Sequence, residues 1–215
     1  MILRPQYNDM THYLEATAIL NFNWPNIMEP NNTQSMVAGL SYDIMMDSKD
    51  ELDYIKNAYE YVRDKIAHSA DIDGKVVTCT ASEVAMAKEG ICYAKSHLLA
   101  ALLRANLVPA GFCYQLLVLD DKTAPQLILH GLNAVYIEAV DKWIRLDARG
   151  NKPGVNAQFS LEHEQLAFNV RAEKGEMDIS IIYAVPDKNV VQALQNSHTI
   201  EELWANLPTS LYNGA

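Results

Sequence analysis

The feature that most constrains this chain is a change of hydrophobic rhythm at Pro109–Gly111. Before it, apolar residues recur at steps of three and four, the spacing of one helix face. After it they come in short runs rich in aromatic and branched residues, which favour strands. Helices gathered ahead of strands, rather than alternating with them, predict an α+β fold. The expected architecture is a set of N-terminal helices, one of them packed across a mainly antiparallel sheet of about four strands.

The helical half carries its own punctuation. "SKDELDYIKNAYEYVRDKIAHS" opens with Ser48 and has Glu51 three residues on, a capping-box pattern. Leu52, Ile55, Tyr59, Val62 and Ile66 then line one face. "TASEVAMAKEG" repeats the device with Thr80 and Glu83, and Gly90 is expected to stop that helix. "CYAKSHLLAALLRANLVPAG" is apolar on almost every side and is expected to be buried nearly all round. Upstream, "NFNWPNIMEPNN" has two prolines and reads as an extended arm or loop.

In the second half, "FCYQLLVL", "LILHGLNAVYIEAV", "KWIRLDA" and "MDISIIYAV" read as strands. "DDKTAPQ" is a turn, and a tighter one falls around Asp141 and Lys142. The tail "HTIEELWANLP" pairs Thr199 with Glu202 as a third capping box before a short helix.

At 215 residues the chain has the size of one domain with one core. The expected division is a helical arm over 1–47, a core over about 50–160, and a C-terminal strand and helices over 161–215. The net charge is −10 and no run of Lys and Arg occurs, which argues against nucleic-acid partners. No apolar run is long enough to cross a bilayer and the N-terminus has no signal core, so no membrane association and a cytoplasmic location are expected. Cys79, Cys92 and Cys113 form no C-x-x-C pair, which argues against disulfides and zinc. No phosphate loop and no metal-ligand spacing is found, so no cofactor and no metal are expected. The pattern leaves the oligomeric state open.

Chemistry concentrates on Cys92, which stands where the chain enters a helix. Helix-start amides and the macrodipole favour a thiolate there and could serve an oxyanion. Cys79, before a helix cap, and Cys113, in a strand, read as small apolar residues. Of six histidines, His97 is five helical positions from Cys92 and faces elsewhere. His130 opens the second strand beside Gly131, which leaves room for a close neighbour, and Asp147 ends the next strand. A hairpin turning near residue 141 brings His130 and Asp147 to the same end, close to cross-strand partners. His68, His163 and His198 read as surface or helix-packing residues, and Arg149 and Asn151 as cleft lining or a loop ion pair.

"GICYAKSHLLAALLRANLVPAGF", then His130 leading a strand, then "WIRLDARGN", resembles the transglutaminase-like superfamily. It is similar in particular to the bacterial branch described as transglutaminase-core enzymes or cysteine proteases. The resemblance is strongest over about 50–160. It implies a papain/transglutaminase-like fold, with Cys92 as nucleophile, His130 as base and Asp147 as orienting acid. Tyrosine often stands in that family at the position of His68. Many members read His-Ala-Trp at the catalytic histidine, where this chain reads His130-Gly131-Leu132. Gln34 and Tyr54 are both conceivable as an upstream oxyanion side chain.

The expected function is therefore cysteine-dependent acyl transfer on a peptide or protein amide through a thioester, leaning to hydrolysis. Amine transfer to glutamine is the alternative chemistry. A non-catalytic binding module that retains the fold is the alternative of another class. An arylamine-type acetyltransferase would use the same three residues, but no basic site for an acyl-coenzyme A is apparent.

Overall fold

A computed structural model describes residues 4–5 and 34–212. The expected arm or loop at 21–32 lies outside the described residues. In chain order the strands are β1 (Arg4–Pro5), β2 (Ala67–His68), β3 (Glu89–Gly90), β4 (Ala110–Asp120), β5 (Ala124–Ile137), β6 (Lys142–Leu146) and β7 (Met177–Tyr183). The helices are α1 (Gln34–Met46), α2 (Glu51–Lys65), α3 (Ala81–Ala87), α4 (Cys92–Ala105), α5 (Lys188–Asn196) and α6 (Ile200–Ala205).

The architecture is α+β. Strands β7, β4, β5 and β6 form an antiparallel sheet in the order β7-β4-β5-β6, and β1 joins the outer side of β7 in parallel. A separate two-residue parallel bridge joins β2 to β3, with His68 opposite Gly90.

Helix α4 is the spine. Every residue from Tyr93 to Arg104 is buried, as its all-round apolar pattern predicts. Its Leu98, Leu99, Leu102 and Leu103 meet Ile55, Tyr59 and Val62 of α2 and Val135 and Leu146 of the sheet in one core. Packing on both sides holds α4 between helices and sheet, so its first residue is fixed against the strands.

Several local expectations are corrected. Asp50, not Ser48, caps α2, its carboxylate accepting from the Asp53 amide at 2.8 Å. Ser48 instead donates to the Ile44 carbonyl at 2.7 Å, so its hydroxyl serves the end of the preceding helix. Helix α3 has the Thr80–Glu83 capping box, but it ends on Lys88 in the left-handed region (φ 56°) and not on Gly90. Gly90 meets a different need: a Cβ there would come within 2.9 Å of the Thr78 hydroxyl. Thr199 caps α6, but Glu202 reaches one residue beyond the box, to the His198 amide. Strand β5 begins at Ala124, so His130 stands inside it rather than at its start. Among the described residues, no helix is long and apolar enough to cross a membrane.

Candidate active site

Three elements bring Cys92, His130 and Asp147 together. Cys92 is the first residue of α4, and Ile91 at the N-cap provides no side-chain hydrogen bond. That contrasts with α3, where Thr80 and Glu83 satisfy each other's backbone amides. The first-turn amides of α4 lack such a cap and lie beside the sulfur. Cys92 is partly exposed, whereas Cys79 and Cys113 are buried. Burial pushes both of those thiols up to about 12.

His130 Nε2 lies 2.8 Å from Asp147 Oδ2, and both residues are almost fully buried. Asp147 is held from three sides. Oδ2 also accepts from the Ala167 amide at 3.0 Å, and Oδ1 accepts from the Arg149 amide at 3.1 Å. The Tyr59 hydroxyl, from α2, donates to the Asp147 carbonyl at 3.3 Å. Burial would raise the Asp147 carboxyl, but the His130 charge and these hydrogen bonds hold it below the usual carboxylate range.

With Nε2 committed to Asp147, Nδ1 is the ring nitrogen left for Cys92. Burial presses the imidazolium down. The Asp147 carboxylate, followed by the charge and hydrogen bond of Cys92, outweighs that and raises His130 to about 10. The arrangement therefore favours a protonated imidazole beside the Asp147 carboxylate. Gly131 is needed here, since a Cβ would stand 2.8 Å from the ring of Tyr93, the neighbour of Cys92.

The surroundings contain residues that the sequence reading missed or misplaced. Phe168 lies edge-on to the His130 ring, with centroids 5.2 Å apart, and covers the imidazole. His68 is a correction: it is neither surface nor helix packing, but lines the same crevice as Cys92 and His130. Its Nδ1 accepts from the Ala70 amide at 3.3 Å. Burial and the nearby Arg149 charge hold it well below its usual value, so it stays neutral. Arg149 lines that crevice too and pairs with Asp71, which also binds Lys152 at 2.6 Å. Asn151 instead bridges both backbone groups of Ala157.

Lys95, one turn beyond Cys92, has no exposed surface. Its ammonium donates to the carbonyls of Ile66 and Arg63 at the C-terminal end of α2. Cations are favoured there by the helix dipole, yet burial still pushes Lys95 down to about 7. Tyr54 is not beside Cys92 in this way. Its hydroxyl is bound to Ser41 and to the Leu102 carbonyl near the far end of α4. The Gln34 side chain lies outside the described residues.

A helix-start thiol and a strand-borne imidazole paired with a carboxylate just beyond β6 thus stand together in an α+β frame, the frame of a transglutaminase-like class of protein. Within that class the chain belongs to the transglutaminase-like superfamily, whose model matches residues 38–148, just over half of its length. No functionally curated protein matches it. Among solved structures it is similar to a "putative cysteine protease" from Cytophaga hutchinsonii, at 18% identity over 69% of this chain and 46% of that one, with a TM-score of 0.45. It is also similar to a structure described as a TGase, at 14% identity over 93% of this chain and 59% of that one, with a TM-score of 0.44. The chain thus spans less than two thirds of the length of either.

Proposed function

We propose that the protein is a cysteine-dependent acyl-transfer enzyme that hydrolyses an amide of a peptide or protein. The observation that carries this reading is the 2.8 Å pair between His130 and Asp147, with the remaining ring nitrogen left for Cys92.

In the first half-reaction the Cys92 thiolate attacks the amide carbonyl carbon. A C–S bond forms and the carbonyl π electrons move to oxygen. The backbone N–H of Cys92 at the uncapped helix start is placed to receive that oxyanion. His130 gives its proton to the amide nitrogen, the C–N bond breaks and an amine leaves. Water then loses a proton to His130 and attacks the thioester. The C–S bond breaks, and acid and thiol are restored. Asp147 stabilises the imidazolium and fixes its orientation throughout.

Partial exposure of Cys92 leaves the thioester open to water, which favours hydrolysis over transfer to an amine. The test offers glutamine-containing peptides with and without a primary amine, and follows ammonia release, peptide cleavage and amine incorporation. Hydrolysis that disappears in Cys92→Ala is expected. Amine incorporation as the main product would reassign the acceptor, and activity surviving in Cys92→Ala would place the chemistry elsewhere.

A further inference from the structure

The crevice that opens beside Cys92 has a volume of about 790 Å³, room for a short peptide segment. Most of its charged lining is already paired within the chain. Arg149 and Lys152 share Asp71. Arg171 binds Glu176 and Asp121. Asp120 closes the β4–β5 turn through the amides of Lys122 and Thr123, with the Lys122 charge beside it. Beside these groups the crevice has an apolar wall that includes Leu117, Ile128, Trp204 and Leu207.

That wall is anchored to the reacting groups. The Leu129 amide, next in sequence to His130, donates to the Pro208 carbonyl at 2.7 Å. The Leu129 carbonyl accepts from the hydroxyl of Tyr93, next in sequence to Cys92. One residue of β5 therefore ties the segment after α6 to the start of α4. Trp204 and Leu207 are held at the mouth of the site by this tie and by packing with Ile91, Tyr93 and Leu129. Both lie beyond the stretch matched by the family model.

We infer that this crevice is a subsite for an apolar side chain of the acyl donor, carried within about two residues of the attacked carbonyl, and that Trp204 and Leu207 set the preference. The inference rests on the acyl-transfer reading of Cys92 given above. A charged side chain would lose its water against this wall, which carries no counter-charge of its own. An apolar one would bury surface that the crevice leaves open.

The test uses peptidyl acyloxymethyl ketones that differ only in carrying Leu, Phe, Asp or Lys at the first or second position from the reactive ketone. Labelling of Cys92 is followed by intact mass. At one of the two positions the Leu and Phe probes are expected to label about 10–100-fold faster than the Asp and Lys probes. Trp204→Ala and Leu207→Ala should narrow that ratio, and Trp204→Phe should largely keep it, with folding checked by circular dichroism. Iodoacetamide separates the two levels. If wild-type Cys92 alkylates no faster than Cys79 and Cys113, the nucleophile reading fails and the subsite fails with it. If Cys92 alkylates fast while charged probes label as quickly as apolar ones, or if both alanine variants keep the wild-type ratio, the subsite alone is overturned.

Discussion

His130 and Asp147 share a 2.8 Å hydrogen bond without being partners in the strand ladder. The β5–β6 ladder ends at Asn133 opposite Leu146, so Asp147 has just left the sheet when it reaches back to the imidazole. Freed from the ladder, its carboxylate also collects the Arg149 and Ala167 amides. The orientation of the pair thus depends on the chain after β6 as well as on the sheet.

Removing the Asp147 charge should lower the imidazolium. In Asp147→Asn the His130 titration, near 10 in the wild type, is expected to move to lower pH. Amide hydrolysis should fall by on the order of 10⁴-fold. NMR of the His130 ring through the titration, with kcat measured alongside, checks both. A midpoint that stays in place would separate Asp147 from the imidazole's charge.

The same pair makes a signed contribution to stability. A folded value above the unfolded 6.5 means the contribution is full below about pH 6.5 and is lost as pH rises through about 10. The deficit in Tm of His130→Gln relative to wild type should therefore be largest near pH 6 and shrink toward pH 10. Thermal melts across that range provide the measurement.

Lys95 carries the opposite sign. Its folded value near 7 lies below the unfolded 10.5, so its contribution is present above 10.5 and lost as pH falls through about 7. Lys95→Met should compare with wild type more favourably at pH 6 than at pH 10, whatever its absolute Tm. The same melts read this, and a difference independent of pH would mean that Lys95 does not titrate in the fold.

Gly131→Ala should destabilise by about 1–3 kcal/mol, because its Cβ meets the Tyr93 ring at 2.8 Å. The displaced ring belongs to the neighbour of Cys92, so slower alkylation of Cys92 is expected with the lower denaturation midpoint.

Thr80→Ala supplies the contrast. Loss of the α3 capping box should cost about 1 kcal/mol and leave the Cys92 alkylation rate unchanged. Urea unfolding together with iodoacetamide kinetics distinguishes the two variants.

The nearness of Cys92, His130 and Asp147 was legible in the sequence because Cys92 starts a helix after Gly90, His130 lies in a strand and Asp147 stands just past the next one. The residues around them were not, and the reasons are physical. His68 belongs to a two-residue parallel bridge, too short to impose any periodicity. The helix pattern does not single out Lys95, and only the C-terminal carbonyls of α2, brought up by tertiary packing, give its ammonium a place inside. Phe168 and Ala167 sit on a loop that reaches the site through single contacts. Ser48 and Asp50 both stand just before α2, and the Ser48–Glu51 spacing favoured the wrong one. Helix α5, capped by Asp187, was absorbed into an undivided tail.

The bond from the Leu129 amide to the Pro208 carbonyl has a further consequence. The Cys92–His130–Asp147 cluster and the apolar side chains of Trp204 and Leu207 come from separate stretches of chain, joined at one residue of β5. Exchange of the segment beyond β7 between homologues would then retune selectivity with the thiol, imidazole and carboxylate left in place. On the proposed reading, what the protein selects can change in one stretch of chain while the reacting groups stay fixed in another.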